Sequence, residues 1–384
     1  MKVHFPLVCG TALVLVLATG CGSGNDDGAA GASGAASSGG RQGLADDGCI
    51  AGDDPLVAAA REEGSVVWSG TPAGDVRKVL PAAFADRYGV EVEYVGARNS
   101  ETAAKIKAER DAGIFAHDVF TSGGESAAVV FYGSDWLGSL KDVLLPEIAD
   151  GANWTGGETP WVDPEGQHIL AISNFVQLPY VVNTDAVSAD EVSEWDDLLR
   201  PEWRGKIVLE DPLESGGAIY TAAMLADEFG DDFVRKLYVD QQPTFLADAR
   251  QEVDDVARGT FAVGVALHQG EVGAATSQGL PLEVVVPTKG QVTTAGSGML
   301  SINNKAPHPN AAKLLVNWLA CKEGGQLFND AILQVSTRAD VDRPDTVPAY
   351  AVPVEDQKYF DANDWDFLLN QKDWEDRISA ILGN

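Results

Sequence analysis

Residues 179–212 read PYVVNTDAVSADEVSEWDDLLRPEWRGKIVLEDP. The stretch opens on an apolar extended run, Pro179–Val182, that stops at Asn183-Thr184-Asp185. A short helix built around Trp195-Asp196-Asp197-Leu198-Leu199 follows. Pro201-Glu202-Trp203-Arg204-Gly205-Lys206 then turns the chain into a second strand of buried character, Ile207–Leu209. Strand, short helix and strand at this spacing predict an α/β fold. At 384 residues the chain exceeds what one hydrophobic core usually serves, so two domains are expected.

The same grammar repeats upstream. A helix is expected over Pro55–Glu63 and a strand over Ser65–Trp68, leading into Ser69-Gly70-Thr71-Pro72. Thr followed by Pro reads as an N-cap and first helical residue. The helix after it carries Val76, Val79, Leu80, Ala83, Phe84 and Tyr88 at helical spacing. Pro81 breaks that pattern and implies a kink or a late start. Strand Val90–Val95, loop Gly96-Ala97-Arg98-Asn99-Ser100, helix Glu101–Ala112 and strand Asp118–Thr121 come next. Ser122-Gly123-Gly124-Glu125-Ser126 leads into another helix. Such a run calls for a mainly parallel sheet covered on both faces.

Tyr132–Gly166, with Trp136, Trp154 and Trp161, is expected to cover a lobe surface, and Ile169–Ile172 continues through Ser173-Asn174-Phe175 to the opening stretch. Beyond that stretch, a helix is expected over Ala218–Phe229 and a strand over Phe261–Ala266, ending in Leu267-His268-Gln269-Gly270. Leu282–Pro287 reads as a return crossing. Asp330–Asn384 reads as helical patches clasping the body, with Trp365 and Trp374 as anchors.

Two phrases carry a family resemblance. "VVNTD … W-x-DLL-x-PEW-x-GKI … DP" within residues 181–212 and "APHPNAAKLLVNWLACKEGGQLF" over 306–328 resemble the extracellular solute-binding proteins of bacterial ABC importers. The branch is the one that holds ferric-iron, thiamine, polyamine and phosphonate binders. The resemblance covers about Pro55 to Val341. It implies a type II periplasmic-binding-protein fold: two lobes, each on a mainly parallel sheet, joined by a two-strand hinge with the ligand between them. The expected lobes are 53–175 with 288–325, and 176–287, with 326–384 as a C-terminal helical segment. Hinge segments are expected at Ser173–Val182 and Leu282–Gly290. His308 is expected to cap the helix that closes the first lobe.

The formal net charge is −31, with 45% hydrophobic and 22% charged residues. That balance argues against nucleic acid or an anionic membrane surface as partner, since both require basic patches. It reads as a solubilising surface. Residues 1–20 form an export leader: Lys2, an apolar run Leu7–Leu17, then Ala18-Thr19-Gly20-Cys21. The apolar run is too short to span a bilayer, which takes roughly 20 residues. The site resembles a lipoprotein lipobox, with Ala18 where Leu is usual, and implies lipid on Cys21. Gly22–Gly52, rich in Gly, Ala, Ser and Asp, reads as a flexible tether. Cys49 and Cys321 remain as unpaired thiols unless the fold brings their Cα atoms within about 7 Å.

Candidate ligand contacts follow the strands. Ser69 and Thr71, Arg98 and Asn99, Ser122 and Gly123, and Ser215 and Gly216 lie at strand-to-helix junctions. Ligands of open α/β sheets sit outside the carboxyl ends of strands, and helix starts offer free N–H groups to anions. The same residue types also serve as plain N-caps. Arg98 suits a carboxylate or phosphonate held through two parallel hydrogen bonds, or is a solvated loop charge. Asn174 at the crossover is a further candidate. Asp211 either accepts from an ammonium group or caps the next turn. His268 and Gln269 stand where the ferric binders of this family carry a tandem tyrosine pair. No Tyr-Tyr occurs in this chain, and Fe³⁺ favours phenolate and carboxylate oxygens, so iron is disfavoured.

No Gly-x-Ser-x-Gly, Walker loop or HExxH is present, nor a Gly-x-Gly-x-x-Gly after a strand. The expectation is therefore no enzyme, no cofactor and no resident metal. The chain reads as a monomeric, lipid-anchored solute receptor on the outer face of the cytoplasmic membrane. It would pass a small molecule or ion to the membrane subunits of an ABC permease, with a small organic anion slightly favoured. Ferric iron with a synergistic anion, thiamine or polyamine, and a solute sensor uncoupled from transport are the alternatives.

Overall fold

The computed structural model describes residues 44, 45, 47–97, 99–213 and 216–383. The expected leader, most of the expected tether, Cys21 as the expected site of lipid attachment, and Arg98 and Ser215 lie outside the described residues. No helix of the described residues is long and apolar enough to cross a membrane.

In chain order the strands are β1 (Ser65–Gly70), β2 (Glu91–Gly96), β3 (Val119–Ser122), β4 (Leu170–Ala171), β5 (Phe175–Val176), β6 (Tyr180–Asn183) and β7 (Ile207–Glu210). They continue as β8 (Thr244–Leu246), β9 (Val263–Val265), β10 (Leu282–Val285), β11 (Val292–Thr294), β12 (Met299–Ile302) and β13 (Phe360–Asp361). One sheet has the order β2-β1-β3-β12-β4 and a second β10-β6-β9-β7-β8. A small third sheet, β13-β11-β5, lies on the two crossings between them. Two lobes on separate sheets are thus present.

The expectation of mainly parallel sheets holds, with one strand reversed in each: four of the five strands run one way. In the first, β1 pairs in parallel with β2 and β3, while β12 runs antiparallel to β3 and β4. In the second, β7 is parallel to β8 and β9, while β6 is antiparallel to β9 and β10. The reversed members, β12 and β6, are the strands that enter a lobe from the hinge, and so arrive from the opposite direction. The second crossing lies later than expected. Leu282–Val285 pairs with β6 inside the second sheet, and it is β11 that meets β5, Thr293 opposite Val176 and Thr294 opposite Phe175.

Local chemistry explains most element boundaries. Asp54 accepts from the Leu56 N–H at 2.8 Å and Pro55 occupies the first helical turn, so helix Pro55–Glu63 starts where its sequence predicts. Thr71 is not a cap. Its carbonyl accepts from the Tyr94 hydroxyl at 2.6 Å and from the Ala73 N–H at 2.7 Å, and the helix Gly74–Tyr88 begins only after that turn, with Pro81 inside it. His308 occupies the N-cap position of helix Pro309–Leu319 without capping it by its side chain. The Glu63 carboxylate does so, accepting from the N–H groups of Asn310 and Ala311. His308 instead meets the buried Asp118 carboxylate through its ring and its backbone N–H, both at 2.8 Å.

Trp68, Phe84, Trp318 and Phe328 centre the first core. Helix Pro309–Leu319 is buried on most of its circumference, as its largely apolar sequence, broken by Asn310, Lys313 and Asn317, requires. Tyr180, Trp195, Leu198 and Trp203, all from the decisive stretch, join the second. The packed body also begins earlier than the tether reading allowed. Leu44 bridges to Ile50, and Cys49 and Ile50 are fully buried. Cys49 is disulfide-bonded to Cys321 with Cα atoms 5.2 Å apart, so the reading as unpaired thiols is corrected: burial of both residues in one core brings them together.

The C-terminal segment does more than clasp. Beyond β13, Phe367 enters the second core while its neighbour Leu368 enters a cluster of the first lobe with Phe120 and Phe131. Trp365 meets the Tyr132 ring edge-on at 5.0 Å, and Trp374 packs among Phe360 and Phe367.

Candidate functional site

Registers place the loops. In the first sheet the carboxyl ends of β1, β2 and β3 share one edge, and β12 enters from that edge with Met299 opposite Ser122. In the second, Tyr180 and Leu209 both lie opposite Val265. Residues just before β6, just after β7 and just after β9 therefore share an edge. A cleft of about 1340 Å³ runs between these edges, above the roughly 300–1,000 Å³ of an enclosed small-molecule pocket.

The first lobe contributes Gly123, Gly124, Glu125 and Ser126, where a helix begins after β3. The second contributes Glu210 at the end of β7, Gly217 in the first turn of helix Gly216–Glu228, and His268, Gln269 and Gly270 where helix Gln269–Ser277 begins. Phe175, Gln177 and Thr294 line it at the hinge, and Leu333, Gln334 and Tyr350 close it from the C-terminal side.

Of the expected contacts, the structure brings Gly123, His268 and Gln269 to this cleft. His268 is exposed and precedes the helix without capping it; the Gln269 Oε1 is buried with no hydrogen-bond partner among the described residues. Asn99 and Gly216 are the first residues of helices Asn99–Asp111 and Gly216–Glu228. The others lie away from it. Ser69 is buried and its hydroxyl meets His117 Nδ1 at 2.6 Å. Tyr94 is the physical reason that the end of β1 is closed off: its ring packs edge-on against Trp68 at 4.9 Å, and its hydroxyl ties down Thr71. Burial pushes that phenol up to about 12, so it stays a neutral donor. Ser122 is buried. Asn174 faces Asn363 at 3.4 Å, and Asp211 caps its own turn by accepting from Leu213 N–H at 2.9 Å beside a separate cavity of about 280 Å³.

Glu125, Gln177, Glu210, Tyr220 and Tyr350 are lining residues that the sequence reading did not single out. Glu125 and Glu210 were visible as polar residues at strand ends; Gln177 and Tyr350 gave no local signal. Burial, with Glu375 close by, raises Glu125, whose carboxylate accepts from Gln371 Nε2 at 3.4 Å. Tyr220 is pushed up to about 12, by burial first and then by Glu125.

A family model described as bacterial extracellular solute-binding protein matches residues 80–353. The chain belongs to that family. This solute-binding protein is 26% identical over 258 residues to an uncharacterized protein of Haemophilus influenzae, covering 64% of the present chain and 69% of the other. Among solved structures it is similar to iron-bound HitA from Pseudomonas aeruginosa, at 13% identity and TM-score 0.65, covering 83% of this chain and 99% of that one. AfuA from Actinobacillus pleuropneumoniae, solved with exogenous fructose-6-phosphate, is 21% identical at TM-score 0.61, with 84% and 99% covered. Trichodesmium IdiA (FutA), in complex with iron and citrate, is 15% identical at TM-score 0.65, with 83% and 99% covered. At these identities the solved structures establish the shared fold of the solute-binding protein.

Proposed function

We propose that this solute-binding protein is the lipid-anchored receptor of an ABC importer, and that it captures a small organic anion between its lobes and delivers it to the permease. One observation carries the ligand class: helix starts from both lobes, at Gly124, at Gly216 and at Gln269, meet the same cleft. First-turn N–H groups have no partner within their own helix and favour negative charge. Capture would proceed by closure, with ligand bridging the lobes and shifting an open–closed equilibrium about the β5 and β11 crossings. Relatives solved with fructose-6-phosphate or with iron and citrate make an anionic ligand a natural choice for this fold. The anchor rests on Cys21; a Cys21→Ser chain recovered in the soluble fraction supports it, and one still in the membrane refutes it.

A second reading has an observation of its own. Glu125 and Glu210 place a carboxylate on each wall, which favours a cation such as thiamine, a polyamine or Fe³⁺. Thermal-shift screening of the purified protein against organic anions, thiamine, spermidine and Fe³⁺ with carbonate separates the two. A ligand at a hundred times its Kd adds about 2.7 kcal/mol of stability. Stabilisation by anions is the expected result; stabilisation by the cations alone overturns the anion reading.

A further inference from the structure

The wall of the cleft belonging to the second lobe differs chemically from the helix starts. Gln177 sits at the fulcrum, and its backbone N–H donates to Val292 O across the hinge at 2.9 Å. Its side-chain Nε2 donates to Gly217 O at 2.9 Å and reaches Thr221 Oγ1 at 3.4 Å. A backbone carbonyl only accepts, so the group facing Gly217 must be the NH₂ end of the amide. That leaves Oε1 turned the other way with its orientation fixed. Oε1 is buried, has no hydrogen-bond partner among the described residues, and belongs to a side chain that lines the cleft.

Gln269 repeats the arrangement. Its Oε1 is likewise buried and without a partner among the described residues, and it too lines the cleft. The strand registers put Gln177 before β6, Gln269 after β9 and Glu210 at the end of β7 along one sheet edge. The two glutamines present oxygen acceptors. A buried acceptor that meets no donor costs about 1–3 kcal/mol. A site built from such groups therefore rejects a ligand that cannot donate.

We propose that the second-lobe wall takes the hydrogen-bond-donating end of the ligand, with Gln177 as the specificity-determining acceptor, so that the solute is a hydroxylated organic anion. The proposal rests on the anion reading above. The first-lobe helix start holds the anionic group, and Gln177 and Gln269 select hydroxyls.

Calorimetric titration with matched probes tests it: sorbitol 6-phosphate against hexyl phosphate, and gluconate against hexanoate. Each pair shares its charged group and chain length and differs in hydroxyls. The hydroxylated member of at least one pair is expected to bind tenfold or more tightly. Gln177→Met should erase most of that preference while leaving the plain anion within about twofold of its original affinity. Gln269→Met, which leaves the hinge bonds of Gln177 in place, provides the same test if Gln177→Met fails to fold. Equal binding within both pairs, or a substitution that weakens both members alike, overturns the proposal and leaves the anion reading standing. Binding of thiamine, spermidine or Fe³⁺ with no binding by either pair overturns both, as does silence with every probe.

Discussion

Glu252 is fully buried on helix Ala249–Ala257, and neither carboxyl oxygen has a hydrogen-bond partner among the described residues. Burial, with Glu210 and Asp248 adding like charge, pushes it up from about 4.5 to about 8. Between those values the native state keeps a proton that the unfolded chain has released. Stability therefore falls as pH rises through that window and levels off above it. Glu252→Gln removes the linkage. Relative to the parent, the variant should gain on the order of 3 kcal/mol between pH 5 and pH 8, read from urea unfolding at both values. Parallel pH dependence in the two proteins would mean that Glu252 ionises without cost. The same scale explains the decisive stretch. Asn183 Nδ2 donates to Val256 O at 2.7 Å, Tyr180 OH to Val192 O at 2.9 Å, and Trp195 Nε1 to Gly290 O at 2.9 Å. Gly290 has φ of 70°, and a Cβ there would lie 2.8 Å from the Trp195 Nε1, so only glycine suits the turn. The residues that carry the family phrase within 181–212 hold the second lobe together, while Glu210 of the same stretch lines the cleft.

At the scale of elements, the C-terminal helix Trp365–Leu369 is the unexpected component. Two consecutive side chains, Phe367 and Leu368, enter opposite lobes, and Leu368 packs so closely on Gly124 that a Cβ on that glycine would meet Leu368 Cδ2 at 2.5 Å. Just upstream, Asn363 Oδ1 accepts from the Ala295 N–H at 2.7 Å, and β13 extends the hinge sheet. A segment anchored on both sides of a hinge resists relative motion of the lobes. Leu368→Ala is expected to cost about 2–5 kcal/mol and to widen the small-angle scattering distribution of the unliganded protein. Leu369→Ala, at a residue 48% exposed, should change neither. Identical scattering from the parent and Leu368→Ala would remove the strap from any account of hinge motion.

Across the whole molecule, the Cys49–Cys321 bond closes a separation of 272 residues. It ties the start of the packed body to the junction of helices Pro309–Leu319 and Lys322–Ile332, which return to the first lobe after the chain has built the second. Removing a native disulfide typically costs about 2–5 kcal/mol. Thermal unfolding of the Cys49→Ala, Cys321→Ala double variant should show a lowered midpoint, and reductant should lower the midpoint of the parent but not of the variant. Equal midpoints under all conditions would mean that the crosslink adds nothing to the stability of the packed core. Its formation requires an oxidising compartment, in keeping with an extracellular binding family.

Sequence alone determined the alternation of strands and helices, the two-lobed class and the family, because apolar periodicity and turn residues are local and the two family phrases are contiguous. Helix Pro55–Glu63 and strands β6 and β7 are legible for that reason: cap, strand and turn all lie within a few residues of one another. It also located the edges of the sheets that face the cleft, since loops after parallel strands must share an edge. Only the tertiary structure decided which loops reach the cleft. Whether Ser69 faces a ligand depends on Tyr94, a residue of another strand, filling the end of β1. Whether Gln177 presents an acceptor depends on a carbonyl of helix Gly216–Glu228, 40 positions away. The pairing of Cys49 with Cys321 and the double anchoring of Phe367 and Leu368 are likewise contacts between distant segments, which spacing along one chain does not encode.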